Sequence, residues 1–362
     1  MRKIKTSVVS RLLSKKNFLI LLAIAAVFVS GCIRFGGSNP PSVAGIFKSF
    51  DKGNTWVEKN LFLYSGGVGS IAGINVVNLT FDPQDNRAIY LAAQADGLLY
   101  SYDAGDSWQK AWAMSNGKVE SVVVDPKNKC VVYATLANTV LKTVDCSRSW
   151  SEVYIDTRAD KALTGLAVDS YSNLVVYAGN SAGDILKSLN GGGNWQVIER
   201  LNNPIVKILI NPSDTRIIYV ATKNQGIFKT TDTGANWDDI NEGLKPYSAS
   251  LEYRNLIFDP TLPDSLLLVA KYGLLKTDDG GSSWRAIELI TPPASADIFS
   301  VAINSKDNKE IYYATASTFY KTVDGGQNWI TKRLPTGATA TYLAVDPVDP
   351  NILYLGLSNL NR

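Results

Sequence analysis

The chain has 362 residues, of which 45% are apolar, 19% charged and 10% aromatic, a composition that builds a large buried core and excludes a disordered chain. It contains no histidine and only three cysteines, which excludes Ser-His-Asp and Cys-His nucleophile systems, most zinc, copper and haem sites, and a disulfide scaffold, so no cofactor or metal is expected. Six of the 36 basic residues fall in residues 1–31, which hold no acid, and the remainder carries 30 bases against 33 acids, so the basic balance belongs to the N-terminus and nucleic acid is not an expected partner.

Arg2, Lys3, Lys5, Arg11, Lys15 and Lys16 form a basic head, and an apolar run of twelve residues follows from Phe18 to Val29. A membrane span needs about twenty residues, so residues 1–31 read as a secretory signal. Val29-Ser30-Gly31-Cys32 resembles a bacterial lipobox, which implies lipidation at Cys32 and anchoring to a membrane outside the cytoplasm. Residues 32–42 read as the lipidated cysteine and a Gly/Pro-rich tether, whose ten flexible residues reach roughly 17 Å.

From residue 43 to 362 one unit repeats. Seven segments share Ser/Thr-x-Asp-x-Gly-x-x-Trp: SFDKGNTW (49–56), SYDAGDSW (101–108), TVDCSRSW (143–150), SLNGGGNW (188–195), TTDTGANW (230–237), TDDGGSSW (277–284) and TVDGGQNW (322–329). Their spacings are 52, 42, 45, 42, 47 and 45 residues. Interleaved with them are seven apolar runs ending in Asp or Asn, such as FDP (81–83), VDP (124–126) and INP (210–212). The β-branched and aromatic runs between these signals read as strands. Each repeat is thus four strands, a propeller blade. The body opens on half a repeat, GIFKSFDKGNTW, and closes on the other half, TYLAVDPVDPNILYLGLSNL. Paired, they make the seventh blade of an all-β, seven-bladed propeller, closing the ring and removing its free edges.

The motif fits the turn between third and fourth strands. Its carboxylate (Asp51, Asp103, Asp145, Asp232, Asp279, Asp324; Asn190 in the fourth copy) accepts turn amides, and its glycine supplies φ > 0. Its indole (Trp56, Trp108, Trp150, Trp195, Trp237, Trp284, Trp329) packs between blades, where truncation costs about 3–5 kcal/mol. Seven copies of one carboxylate are structural rather than catalytic. In the third copy Ser147 replaces the glycine. If 131–135 pairs with about 139–143, Cys130 and Cys146 meet at the open end of that hairpin, and a disulfide is expected.

These segments resemble the Asp-box, or bacterial neuraminidase repeat. That motif occurs in sialidases, xyloglucanase-type glycoside hydrolases, sortilin-type receptors and propellers resembling the photosystem II assembly/stability factor. The chain has no Arg-Ile-Pro, which sets it apart from sialidases. Xyloglucanase-type enzymes resemble two propellers clamped on a glycan, with acidic residues from both. The short-looped body most resembles the assembly-factor group, which implies a membrane-tethered, non-catalytic scaffold that binds a protein. The alternative is a glycoside hydrolase or glycan-binding propeller.

Recognition is expected on the face opposite the turn motifs, where the links 57–75, 109–118, 153–162, 196–204, 239–252, 286–297 and 331–340 vary most. Arg and aromatic residues favour interfaces, so the candidates there are Tyr64, Trp112, Arg158, Arg200, Tyr247, Arg254 and Arg333. The first link, containing LFLYSGGVGSIAG, reads as a flexible apolar stretch suited to a partner or a membrane. For hydrolysis, Asp96, Asp184, Glu199, Glu242 and Asp297 are possible members of a carboxylate pair, about 5–5.5 Å apart if retaining or 6.5–9.5 Å if inverting.

Overall fold

Each inner strand stops at a side chain that caps the next turn. Asp82 Oδ1 accepts the Gln84 amide at 2.8 Å, Asp125 that of Lys127 at 2.8 Å, and Asp169 that of Tyr171 at 2.7 Å. Asn211, Asp259, Asn304 and Asp346 repeat the contact. This local bond reverses the chain seven times at the same point of the repeat.

The computed structural model describes residues 43–360; Cys32, the tether and the signal lie outside the described residues. It holds seven four-stranded antiparallel sheets. Blade 1 consists of Val76–Asp82, Asp85–Ala93, Leu98–Ser101 and Gln109–Lys110, and blades 2 to 6 follow the same order. Blade 7 joins Thr339–Val345 and Leu353–Ser358 to Gly45–Ser49 and Val57–Glu58. Phe47 pairs with Leu355 at the centre of that closure. The second strands are buried on both faces and read as continuous apolar runs, as strands inside stacked sheets must. Among the described residues, the helical turns are two short 3-10 segments, Trp112–Met114 and Glu242–Leu244.

The turn motif is tighter than its one glycine implies. Two consecutive residues are left-handed in every copy, as at Ala104 (φ 61°) and Gly105 (φ 81°). The Ser101 hydroxyl donates to Asp103 Oδ1 at 2.7 Å and accepts the Gly105 amide at 2.8 Å. Asp103 in turn accepts the amide and the hydroxyl of Ser107. In blade 2 the equivalent Ser149 hydroxyl and amide, with the Thr143 hydroxyl, hold the Asp145 carboxyl down at about 2.

The motif also joins blades. Each indole enters the seam with the preceding blade: Trp108 lies among Ile89 and Leu99 of its own blade and Ile46 and Tyr354 of blade 7. Burial is uneven. Trp108 and Trp284 are buried, and the other five indoles are half-exposed.

At four seams a second contact recurs. The carbonyl of the first left-handed residue accepts both a tyrosine hydroxyl and a lysine ammonium from the blade before. Ala104 takes Tyr354 (3.1 Å) and Lys48 (3.0 Å), and Gly191 takes Tyr133 (3.0 Å) and Lys142 (2.8 Å). Thr233 takes Tyr177 (3.0 Å) and Lys187 (2.8 Å), and Gly280 takes Tyr219 (3.3 Å) and Lys229 (3.0 Å).

Blade 2 departs from this pattern. Cys146 (φ 57°) and Ser147 (φ 68°) both lie in the left-handed region without a glycine. The expected hairpin forms, with Val132 opposite Thr143 and Thr135 opposite Val140, and Cys130 and Cys146 are joined by a disulfide. The first link is not a flexible stretch. It is a hairpin, Leu61–Tyr64 paired with Gly67–Ser70, bound to blade 1 through Leu63 N–H to the Trp108 carbonyl (2.8 Å) and Trp108 N–H to the Leu61 carbonyl (2.9 Å). The reciprocal bonds arise because Trp108 lies beside the blade's outer edge and leaves both its backbone groups to pair.

Two predictions follow from the seams. Tyr177→Phe loses the bond to Thr233 and costs about 1 kcal/mol. Tyr313→Phe costs nothing or stabilises, because the buried Tyr313 hydroxyl has no partner among the described residues; urea unfolding of the two variants separates them. Ser147→Gly relieves a left-handed serine and raises the unfolding free energy by about 1–2 kcal/mol in the same assay.

Candidate functional site

The turn motifs and the Asp/Asn caps share one face, where the carboxylates are committed to backbone amides. The opposite face carries the links and the turns between second and third strands, and three features there have chemical potential.

The first is a charge cluster between blades 2 and 3. Asp156 follows the strand Ser151–Ile155, Asn180 ends Val176–Asn180, and Asp184 opens Asp184–Ser188. Arg158 chelates Asp156 through Nε (2.9 Å) and Nη2 (2.8 Å), and the same Nη2 reaches Asp184 Oδ2. Asn180 Nδ2 donates to both carboxylates, at 2.9 and 3.2 Å. Arg200 Nε lies 3.4 Å from Asp184 Oδ1. The two carboxylates are almost fully buried, whereas the arginines are open to solvent. The Arg158 guanidinium holds Asp156 below the usual carboxylate range. A general acid must keep its proton near neutral pH, so Asp156 in this setting is a structural anion. Asn180 and Asp156 gave no signal in the sequence, because the bond that joins them spans two blades.

The second feature is a cavity of about 390 Å³ on the loop side of blade 4. Phe228 forms its apolar wall, with Asn224, Gln225, Asp239, Glu242 and Lys245 around it. Asn241 fixes this shape: its Oδ1 accepts the Ile227 amide (2.8 Å) and its Nδ2 donates to the Gln225 carbonyl (2.9 Å). Asp239 caps the turn by accepting the Asn241 amide (2.7 Å), and Lys245 pairs with Glu242. Two carboxylates, two amides and one aromatic ring around a small cavity suit a ligand with many hydroxyls and an apolar face.

The third is the central channel, about 1020 Å³, walled by the inner strands of six blades and by Phe299 of the sixth.

The other expected residues are dispersed. Trp112 projects outward, 68% exposed, while Met114 of the same turn is buried in its place. Tyr64 stacks on Phe62 at 5.7 Å in the added hairpin. Tyr247 is structural: its hydroxyl donates to the Trp284 carbonyl at 3.0 Å and its ring meets Tyr272 edge-on. Arg254 lies at the channel mouth, 3.7 Å from Asp297, which also pairs with Lys271 at 3.0 Å. Arg333 ends the exposed outer strand Ile330–Arg333. Glu199 accepts the Arg200 amide at 2.7 Å, and Asp96 sits half-buried in a turn of blade 1. Of the five carboxylates considered for hydrolysis, Asp184 is brought against a second one, Asp156, and Glu242 shares a cavity with Asp239.

The family model for sortilin (neurotensin receptor 3, Sortilin-Vps10) matches residues 183–288, a stretch that includes the blade 4 cavity. Among curated proteins, the xyloglucanase Xgh74A of Acetivibrio thermocellus is 25% identical over 253 residues, 57% of this chain. The chain spans only 30% of the length of that relative. Among solved structures, the GH74 enzyme of Niastella koreensis superposes with a TM-score of 0.65 at 17% identity, over 78% of this chain and 51% of its own. YCF48 bound to D1 peptide superposes with a TM-score of 0.60 at 18% identity, over 80% of this chain and 94% of its own. At these identities the structures speak for the fold.

The expectation of a non-catalytic, protein-binding scaffold is therefore corrected. The curated relatives are xyloglucanases, and they favour the glycoside-hydrolase alternative. The expectation went astray because it weighed the short loops of a single propeller body, a property of the scaffold rather than of a site.

The charge cluster makes a testable statement about acid. Asp156 is depressed in the folded state, so its contribution is present above the unfolded value near 3.9 and is lost as pH falls through the lower folded value. Arg158→Met should bring its titration, followed by carboxyl-carbon NMR, back toward the ordinary range and flatten the pH dependence of stability below about pH 4. An unmoved titration would remove Arg158 as the cause.

Proposed function

We propose that this chain is a propeller of the glycoside-hydrolase type whose ligand is a polysaccharide, with the blade 4 cavity as a sugar subsite. The observation that carries this reading is the alignment of 57% of the chain with a xyloglucanase. The lining of the cavity supports it. The Asn224 and Gln225 amides and the Asp239 and Glu242 carboxylates match a ring of hydroxyls, and Phe228 offers a face for sugar C–H groups. The Cys130–Cys146 disulfide supports an oxidising, extracytoplasmic location, and the proposed lipid at Cys32 would hold the propeller at a membrane.

The test is affinity electrophoresis and calorimetry of the full chain with xyloglucan and other soluble β-glucans. Retardation is expected. Asp239→Asn and Phe228→Ala should each weaken binding about tenfold or more, the worth of a charged hydrogen bond or a buried ring face. Absence of binding to every polysaccharide would sink the reading. New reducing ends in the same mixtures report whether the bound chain is cut.

A further inference from the structure

The central channel carries a charge pattern that folding does not use. Its charged lining is Lys118, Glu120, Lys207, Lys223 and Arg254, four cations against one carboxylate. Lys118 and Glu120 neutralise each other at 2.6 Å, and Arg254 leans toward Asp297 at 3.7 Å. Lys207 differs from the rest. It is the third residue of the inner strand Ile205–Ile210 and pairs with Ala221 of the second strand. In four other blades the equivalent wall position holds Asn78, Gly165, Asn255 or Tyr342, none of them charged. Among the described residues, the Lys207 ammonium has no hydrogen-bond or ion-pair partner. Burial pushes it down from its ordinary value, a penalty that an anion beside it would lift.

The two ends of the channel differ in sign. Lys118, Lys223 and Arg254 stand where inner strands begin or second strands end, on the loop face. At the far end, the inner strands close on Asp82, Asp125, Asp169, Asp259 and Asp346, all buried or at the strand terminus in amide-bonded turns. A cleft of one sign draws the opposite charge inward; the far-end carboxylates do not line the channel, so its free charge lies on the loop side. The Asn255 side-chain amide lines the channel on the adjacent blade 5, and that of Asn78 lines it at the same register in blade 1; the Nδ2 groups of both have no partner among the described residues, leaving donors for hydroxyl or carboxylate oxygens.

We propose that the channel takes the carboxylate of an acidic glycan, a uronate unit entering from the loop face, with Lys207 as its ionic contact, Asn255 of the adjacent blade as a neutral one, and Asn78 across the channel as a donor to the sugar hydroxyls. This rests on the reading that the ligand is a polysaccharide, and it adds that the polysaccharide is anionic.

The experiment uses the full chain, calorimetry and four probes: an oligogalacturonate, its methyl ester, a neutral xyloglucan oligosaccharide, and a peptide with a free C-terminal carboxylate. The acid should bind at least about tenfold more tightly than the ester. Lys207→Met should abolish that preference without lowering the melting temperature, and Lys207→Arg should restore most of it. Equal binding of acid and ester, or a preference that survives Lys207→Met, overturns the proposal. If the xyloglucan oligosaccharide binds while acid and ester do not differ, the uronate site fails and the polysaccharide reading stands. If no glycan binds, both fail, and a peptide bound in a Lys207-dependent way would reassign the channel.

Discussion

Four of the seven seams are tied through one carbonyl each. A turn with two successive left-handed residues pushes the carbonyl of the first outward, and the preceding blade meets it with a tyrosine hydroxyl and a lysine ammonium. The lysine also lies over its own blade's tyrosine ring, as Lys142 does over Tyr133 at 5.2 Å, so a cation buried at the seam gains a π face and an oxygen together. Where this pairing is missing, something else takes its place. Between blades 1 and 2 the Cys146 carbonyl accepts the Tyr102 hydroxyl at 3.0 Å, beside the disulfide. Between blades 6 and 7 Glu310 collects Lys52 and Lys321, and these ammonium groups and Asn304 outweigh its burial to hold its carboxyl at about 2. In blade 5 Leu267 stands in the tyrosine position and Lys276 turns back to Asp259. Two of the three seams that lack the pairing thus replace it with another polar contact.

That economy divides the molecule into two faces with different chemistry. On the turn-motif face, the six motif aspartates accept amides and hydroxyls from their own turns, and their low proton affinity follows from those bonds. On the loop face, charges pair across blades, as Arg158 does with Asp184, or stand alone, as Lys207 does. The first arrangement repeats because each blade needs it. The second is singular, and singularity is what a ligand can read.

The same division decides what the sequence discloses. Blade number, strand count, ring closure and the Cys130–Cys146 bond were all legible, since each depends on a turn or hairpin spelled by neighbouring residues. The depth of each indole was not. Trp108 and Trp284 are buried and Trp56 is not because of what the adjacent blade presents, which is some forty residues away. The Asp156–Asn180 bond, which spans two blades, and Lys207 were silent for a similar reason. Lys207 sits in an inner strand that reads IVKILI, and nothing local marks its ammonium as facing an open channel. Nor does LFLYSGGVGS disclose that it will zip onto Trp108, because its acceptor and donor lie in another repeat.

The mixed composition of blade 7 has a bearing on how the molecule is made. Gly45–Ser49 leaves the ribosome roughly 300 residues before Leu353–Ser358, its partner in the ladder, and at about 5–20 residues per second that interval is tens of seconds. Through it the nascent chain carries a bare apolar strand at one end and a growing stack at the other, both open to edge-to-edge pairing with neighbouring polypeptides. Chaperone cover at the N-terminal strand, rather than the packing of any one sheet, would then govern the yield of finished rings.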